Sequence, residues 1–78
     1  MPTYFFYLDE DGFLVRDDEG QDLLNVGEAH ARAIKSARDV LAAEILAGRW
    51  PSTWKVHVED AGGRRLLTVP FLDAFEVC

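Results

Sequence analysis

Cysteine is almost missing from this 78-residue chain, and the single Cys78 cannot close an internal disulfide. No staple of that kind supports the fold, and such sparing use of cysteine fits a reducing compartment. Long apolar runs are missing as well. The longest is only a few residues, where a membrane span needs about 20. The opening Met1-Pro2-Thr3-Tyr4 has neither the basic nor the apolar region of a secretory leader, so the expected location is the cytoplasm. Positive charge is also scarce, with 8 basic residues against 14 acidic ones and a net charge of −6. The imbalance is local: between positions 9 and 22 stand Asp9, Glu10, Asp11, Asp17, Asp18, Glu19 and Asp22 against Arg16 alone, and the rest of the chain is neutral. Such a surface disfavours nucleic acid, whose binding rests on phosphate neutralisation, and disfavours anionic membranes.

The length allows a single domain spanning residues 1–78. Surface scaling gives a folded area of about 4,800 Å². Apolar burial at ~25 cal/mol/Å² then contributes about 120 kcal/mol, and ordering the chain costs about as much. A domain so finely balanced gains from a partner subunit, and a homodimer is expected.

What is present is mostly fold information. Thr3–Leu8 is β-branched and aromatic and ends in the turn cluster Asp9-Glu10-Asp11-Gly12, which predicts a strand. Asp11-Gly12 leads into Phe13–Arg16, a short second strand closing a hairpin. Gln21–Leu24 is irregular or a brief third strand. Asn25 has the character of a helix N-cap with Glu28 three residues on, and Leu24 and Ala29 have the spacing of a hydrophobic staple. The helix runs from Val26 to Ala47, where Gly48 provides a left-handed cap. Its inner face holds Val26, His30, Ala33, Ile34, Ala37, Val40, Leu41, Glu44 and Ile45, with Arg32, Lys35 and Asp39 opposite. Glu28–Arg32 and Lys35–Asp39 are i,i+4 pairs.

Beyond the connection at Trp50–Thr53, Trp54, Val56 and Val58 alternate with Lys55, His57 and Glu59. A turn at Asp60–Gly63 returns the chain through Leu67, Val69 and Phe71, so that Val58 faces Leu67, Val56 faces Val69 and Trp54 faces Phe71. Pro70 places this strand near a sheet edge. The tail Leu72–Cys78 is a helical turn through Leu72 and Phe75, or an added strand. The fold class is therefore α+β: two layers in ββαββ order, with one long helix on a small antiparallel sheet.

The catalytic inventory is thin. His30 falls on the helix's apolar face, where a hydrogen-bonded, partly buried histidine is the plain reading, and His57 on a polar strand face as a solvated residue. Without C-x-x-C or H-x-x-x-H they make no zinc site. The acidic turns do not meet the EF-hand pattern. Glu44 interrupts an apolar stripe and is expected to stay wet. No catalytic, cofactor or metal residue is assigned, and the chain is not expected to be an enzyme. The aromatics are the one asymmetry: all lie outside the helix, and the first strand is apolar on both faces. One helix covers one sheet face, which leaves Phe5 and Tyr7, beside Lys55, His57 and Thr68, as the candidate partner-binding surface.

Tyr4-Phe5-Phe6, Asp17-x-Glu19-Gly20, the alanine- and arginine-rich helix, Asp60-x-x-Gly63-Arg64 and Thr68-Val69-Pro70-Phe71 together resemble a family of short, stand-alone bacterial domains of unknown function. The resemblance spans nearly the whole chain and implies a small α+β fold with no assigned activity. Separately, Tyr7-Leu8-x-x-Asp11-Gly12-Phe13-x-Val15 with a long helix opening at Glu28-Ala29 is similar to the N-terminal domain of HicB-type antitoxins. That similarity implies an alternative role, binding a small basic protein through the acidic turns.

Overall fold

The computed structural model describes residues 1–16 and 19–75. Its elements are β1 (Thr3–Glu10), β2 (Phe13–Val15), β3 (Gln21–Asp22), α1 (Val26–Leu46), β4 (Lys55–Asp60), β5 (Arg65–Pro70) and a 3-10 helix (Phe71–Phe75). The architecture is α+β, with one long helix on a small antiparallel sheet. The order is βββαββ rather than ββαββ, because two residues of the segment after the first hairpin pair with the start of β1. The sheet runs β2-β1-β4-β5, with β3 on the same edge of β1 as β2.

Local chemistry explains these elements. Asp11 and Gly12 both adopt positive φ, 56° and 97°, as a two-residue hairpin turn requires. The Asp9 carboxylate accepts the Gly12 N–H at 2.7 Å and closes that turn. Between β4 and β5 the expected register holds, Val56 against Val69 and Val58 against Leu67, and a bulge between Val58 and Glu59 shifts the next pairing to Glu59 and Arg65. Trp54 stands just before β4. Its ring meets that of Phe71 edge to face at 5.9 Å, and its carbonyl accepts the Phe71 N–H at 2.9 Å.

At the start of α1 the Asn25 side chain accepts the Glu28 N–H at 3.0 Å, whereas the Glu28 carboxylate reaches the Leu24 N–H at 2.9 Å instead of that of Asn25. The expected staple is displaced by one residue: Leu24 is exposed and Leu23 is buried. Glu28 is therefore engaged at the helix start, and Arg32 reaches Gln21 at 3.3 Å rather than Glu28. The other pair forms, with Lys35 and Asp39 at 3.0 Å. Ala47 caps the helix, followed by Gly48 at φ 85°.

The buried seam of α1 is Ala29, Ala33, Ala37 and Leu41, a single i,i+4 row. Such a row slants around the helix. At the first turn it is centred on Ala29, so His30 lies on its flank and is exposed, which corrects the expectation for that residue. Val26 and Ile45 are likewise exposed, while Ile34 and Val40 pack beside the seam. The alanine methyls let the helix approach β4, β5 and the 3-10 helix closely. Tyr4, Val56, Val58, Val69, Phe71 and Ala74 complete the core. Arg38 ties the 3-10 helix to α1 by donating to the Ala74 carbonyl at 2.7 Å.

Candidate functional site

Alternation along β1 sends Tyr4, Phe6 and Leu8 toward α1 and leaves Phe5, Tyr7 and Asp9 on the opposite face. The pairings then place all five residues singled out in the sequence on that opposite face. Tyr7 stands across from His57 and His57 across from Thr68, with Phe5 and Lys55 one rung away on either side. Lys55 and Thr68 are exposed, whereas Phe5 and Tyr7 are half-buried.

Arg16 and Gly20 cover part of these two aromatics. The Arg16 guanidinium lies 5.5 Å from the Tyr7 ring centre, in cation–π geometry. Gly20, at φ 75°, packs on Phe5 and Thr3 so tightly that a Cβ there would fall 2.8 Å from Thr3 Cγ2 and 3.0 Å from the Phe5 ring. Only glycine combines that backbone angle with that approach.

His57 departs from its expected place in solvent. It is 5 % exposed, with Nδ1 2.8 Å from Thr68 Oγ1 and Nε2 2.8 Å from Asp9 Oδ2. The three side chains thus link β5, β4 and β1 across the sheet. The hydrogen bond from His57, and next that from the Gly12 N–H, hold the Asp9 carboxyl below the ordinary carboxylate range. An ionised Asp9 only accepts, so it takes the Nε2–H and leaves Nδ1 to receive the Thr68 hydroxyl proton when the ring is neutral. When the ring is protonated, Nδ1–H donates and the hydroxyl turns outward. The network stays bonded in either state because a hydroxyl both donates and accepts.

Asp11, Asp60 and Glu44 have ordinary structural partners. Asp11 accepts from the Thr53 hydroxyl, and Asp60 accepts the Gly62 and Arg64 N–H groups in its turn, both at 2.9 Å. Glu44 is not wet: its side chain is half-buried and ion-paired with Arg49 at 2.6 Å. Among the described residues, no three His, Cys, Asp or Glu side chains gather as a metal cluster, and no helix is long and apolar enough to cross a membrane. Asp17, Asp18 and Cys78 lie outside the described residues.

The sequence did not reveal which aromatics reach solvent. Phe13 is 69 % and Trp50 58 % exposed, and Leu14 and Val15 are exposed too. The helix packs over β4 and β5, away from β2, so the apolar side chains of β2 find no second layer. The signal was a three-residue apolar strand fixed to the end of β1 by a tight turn, too short to bring its own cover.

No curated protein and no solved structure is significantly similar to the chain. The family described as Domain of unknown function (DUF6894) matches residues 3–72, from the first residue of β1 into the 3-10 helix, and the chain belongs to that family.

Proposed function

We propose that the chain is a non-enzymatic protein-interaction module that works in the cytoplasm as a homodimer, joined through the sheet face opposite α1. The observation that carries this reading is the unequal cover of the two sheet faces. α1 closes one face. The other presents the edges of Phe5 and Tyr7 together with exposed Lys55 and Thr68. Aromatics held on a strand lose little entropy when a partner covers them, and such side chains commonly anchor interfaces. Two acids of this face have basic neighbours: Glu59 has Arg65 at 3.4 Å, and Asp9 has Lys55, its partner across the β1–β4 pairing. The relay of Asp9, His57 and Thr68 fits a structural role, because its two hydrogen bonds tie β1, β4 and β5 together.

Sedimentation velocity tests the proposal. The expected result is a dimer by ~100 μM, the range of weak interfaces, and a Phe5→Ala/Tyr7→Ala variant that stays folded but sediments as a monomer. A single 8.8 kDa species at every concentration overturns it.

A further inference from the structure

We infer that the outer edge of β2 is a docking site for an extended, lysine- or arginine-rich segment of another protein, which adds to the sheet as one more strand. The inference rests on the interaction reading but uses a different surface from the homodimer face.

The hairpin geometry prepares this edge. Glu10 and Phe13 flank the two-residue turn, Asp9 pairs with Leu14, and Leu8 pairs with Val15. In such a hairpin the pair next to the turn exchanges both backbone bonds and the following pair exchanges none. The Leu14 N–H and C=O therefore point away from β1, along an edge that no strand pairs among the described residues.

Sheet edges are normally guarded by proline, lysine or a bulge. The opposite edge, β5, has all the marks of a guarded one: Pro70 at one end, Arg65 at the other, and a bulge at its pairing with β4. β2 has none of these, and only its shortness, three residues, limits pairing there. Its sequence is Phe13-Leu14-Val15, and all three side chains are exposed. An added strand would find an outward donor and acceptor together with apolar side chains on both faces of the pleat, the requirements of recognition by β-strand addition.

Charge decides the occupant. β2 lies inside the segment, positions 9–22, that carries seven acids and one base. Antiparallel pairing of β2 with β2 of a second copy would bring two such segments together, and like charges at an interface are strongly disfavoured. A segment alternating apolar and basic residues meets the opposite field, so the partner is a basic strand rather than a second copy.

The probes are two capped heptapeptides, Lys-Val-Lys-Val-Lys-Val-Lys and Glu-Val-Glu-Val-Glu-Val-Glu, titrated into the full chain while amide hydrogen exchange is followed residue by residue. The basic peptide should bind saturably and slow exchange at Leu14, and its affinity should fall about tenfold between low and high salt as screening grows. The acidic peptide should not bind. Leu14→Pro removes the outward donor without touching a β1–β2 bond, and Phe13→Lys/Val15→Lys replaces two apolar side chains with positive ones, taking positions 9–22 from −6 to −4. Each should lower affinity at least ~10-fold while the dimer seen by sedimentation persists. Equal binding of both peptides, protection that falls on β5 or on the Phe5 and Tyr7 face, or no binding at millimolar peptide overturns the inference. A monomeric chain that still binds the basic peptide at β2 refutes the homodimer and leaves this site standing.

Discussion

His57 Nε2 lies 2.8 Å from Asp9 Oδ2 although 48 residues separate them, and this contact joins the two central strands on the face away from the helix. The same carboxylate closes the β1–β2 turn through the Gly12 N–H. One side chain therefore couples hairpin closure to strand pairing.

A pH dependence follows from that double use. The Asp9 carboxyl is held below its ordinary range by His57 and then by Gly12, so the unfolded chain binds its proton more readily than the folded one. The stabilisation is complete above the unfolded carboxyl value, near ~3.9, and is lost as pH falls through the lower folded value. Urea unfolding of wild type and Asp9→Asn between about pH 2 and pH 7 checks this. The gap between the two should be widest above ~pH 5 and close on acidification. A gap independent of pH would show that the carboxylate's charge contributes nothing.

Thr68→Val keeps the shape and β-propensity of the residue but leaves His57 Nδ1, in a ring 5 % exposed, without its partner. Stranding a buried polar atom costs about 1–3 kcal/mol. The loss should appear as a lower urea midpoint with an unchanged slope. A neutral or stabilising Thr68→Val would mean that the network adds nothing to the fold.

These residues also mark the limit of what could be read along the chain. The strands were legible because alternation reports a sheet face directly, and the pairing of Val56 with Val69 followed from the turn. The N-cap Asn25 was legible because its signal lies within one turn. The two histidines were not. His57 looks solvated from its own strand, and only the Asp9 and Thr68 side chains from neighbouring strands remove it from water. His30 looks buried on a helical wheel, but the slanted alanine row sets the seam one position away. The five face residues share one sheet face because period-two alternation survives any choice of strand order. The exposure of Phe13 depends on where α1 comes to rest, which no local pattern states.

The alanine row makes a further case. Ala33 has no exposed surface and sits mid-seam, where the helix touches the sheet. Ala33→Leu keeps helix propensity and adds hydrophobicity, yet it should destabilise the domain by about 1–3 kcal/mol through overpacking. Ala42→Leu, on the exposed side of the same helix, should fall within ~0.5 kcal/mol of wild type. Thermal unfolding of the pair separates packing from propensity, and equal midpoints would contradict the close approach of helix and sheet.

Two glycines separate backbone strain from crowding. Gly48 has φ 85° with nothing within 4 Å of an added Cβ, whereas Gly20 at φ 75° would meet Thr3 Cγ2 at 2.8 Å. Gly48→Ala should cost about 1–2 kcal/mol, the left-handed penalty alone. Gly20→Ala should cost that plus about 1–3 kcal/mol of overpacking against Thr3 and Phe5. Equal losses in urea unfolding would show that the chain after β2 does not press on the Phe5 face.

The last contrast concerns two phenylalanines. Phe71 is 0 % exposed, stacks edge to face on Trp54, and stands where β5 turns into the 3-10 helix; Phe13 is 69 % exposed on the edge strand. Phe71→Ala removes core contacts on every side and should cost about 3–5 kcal/mol. Stability of about 0.05–0.15 kcal/mol per residue leaves so small a domain little reserve, so this variant should be largely unfolded at 37 °C or so. Phe13→Ala should change stability by less than ~0.5 kcal/mol, because its side chain already faces water. If Phe13 were held in place as packing, the two would differ little in urea midpoint. If it is held for a partner, the Phe13 variant folds like wild type and loses affinity for the basic strand proposed for the β2 edge.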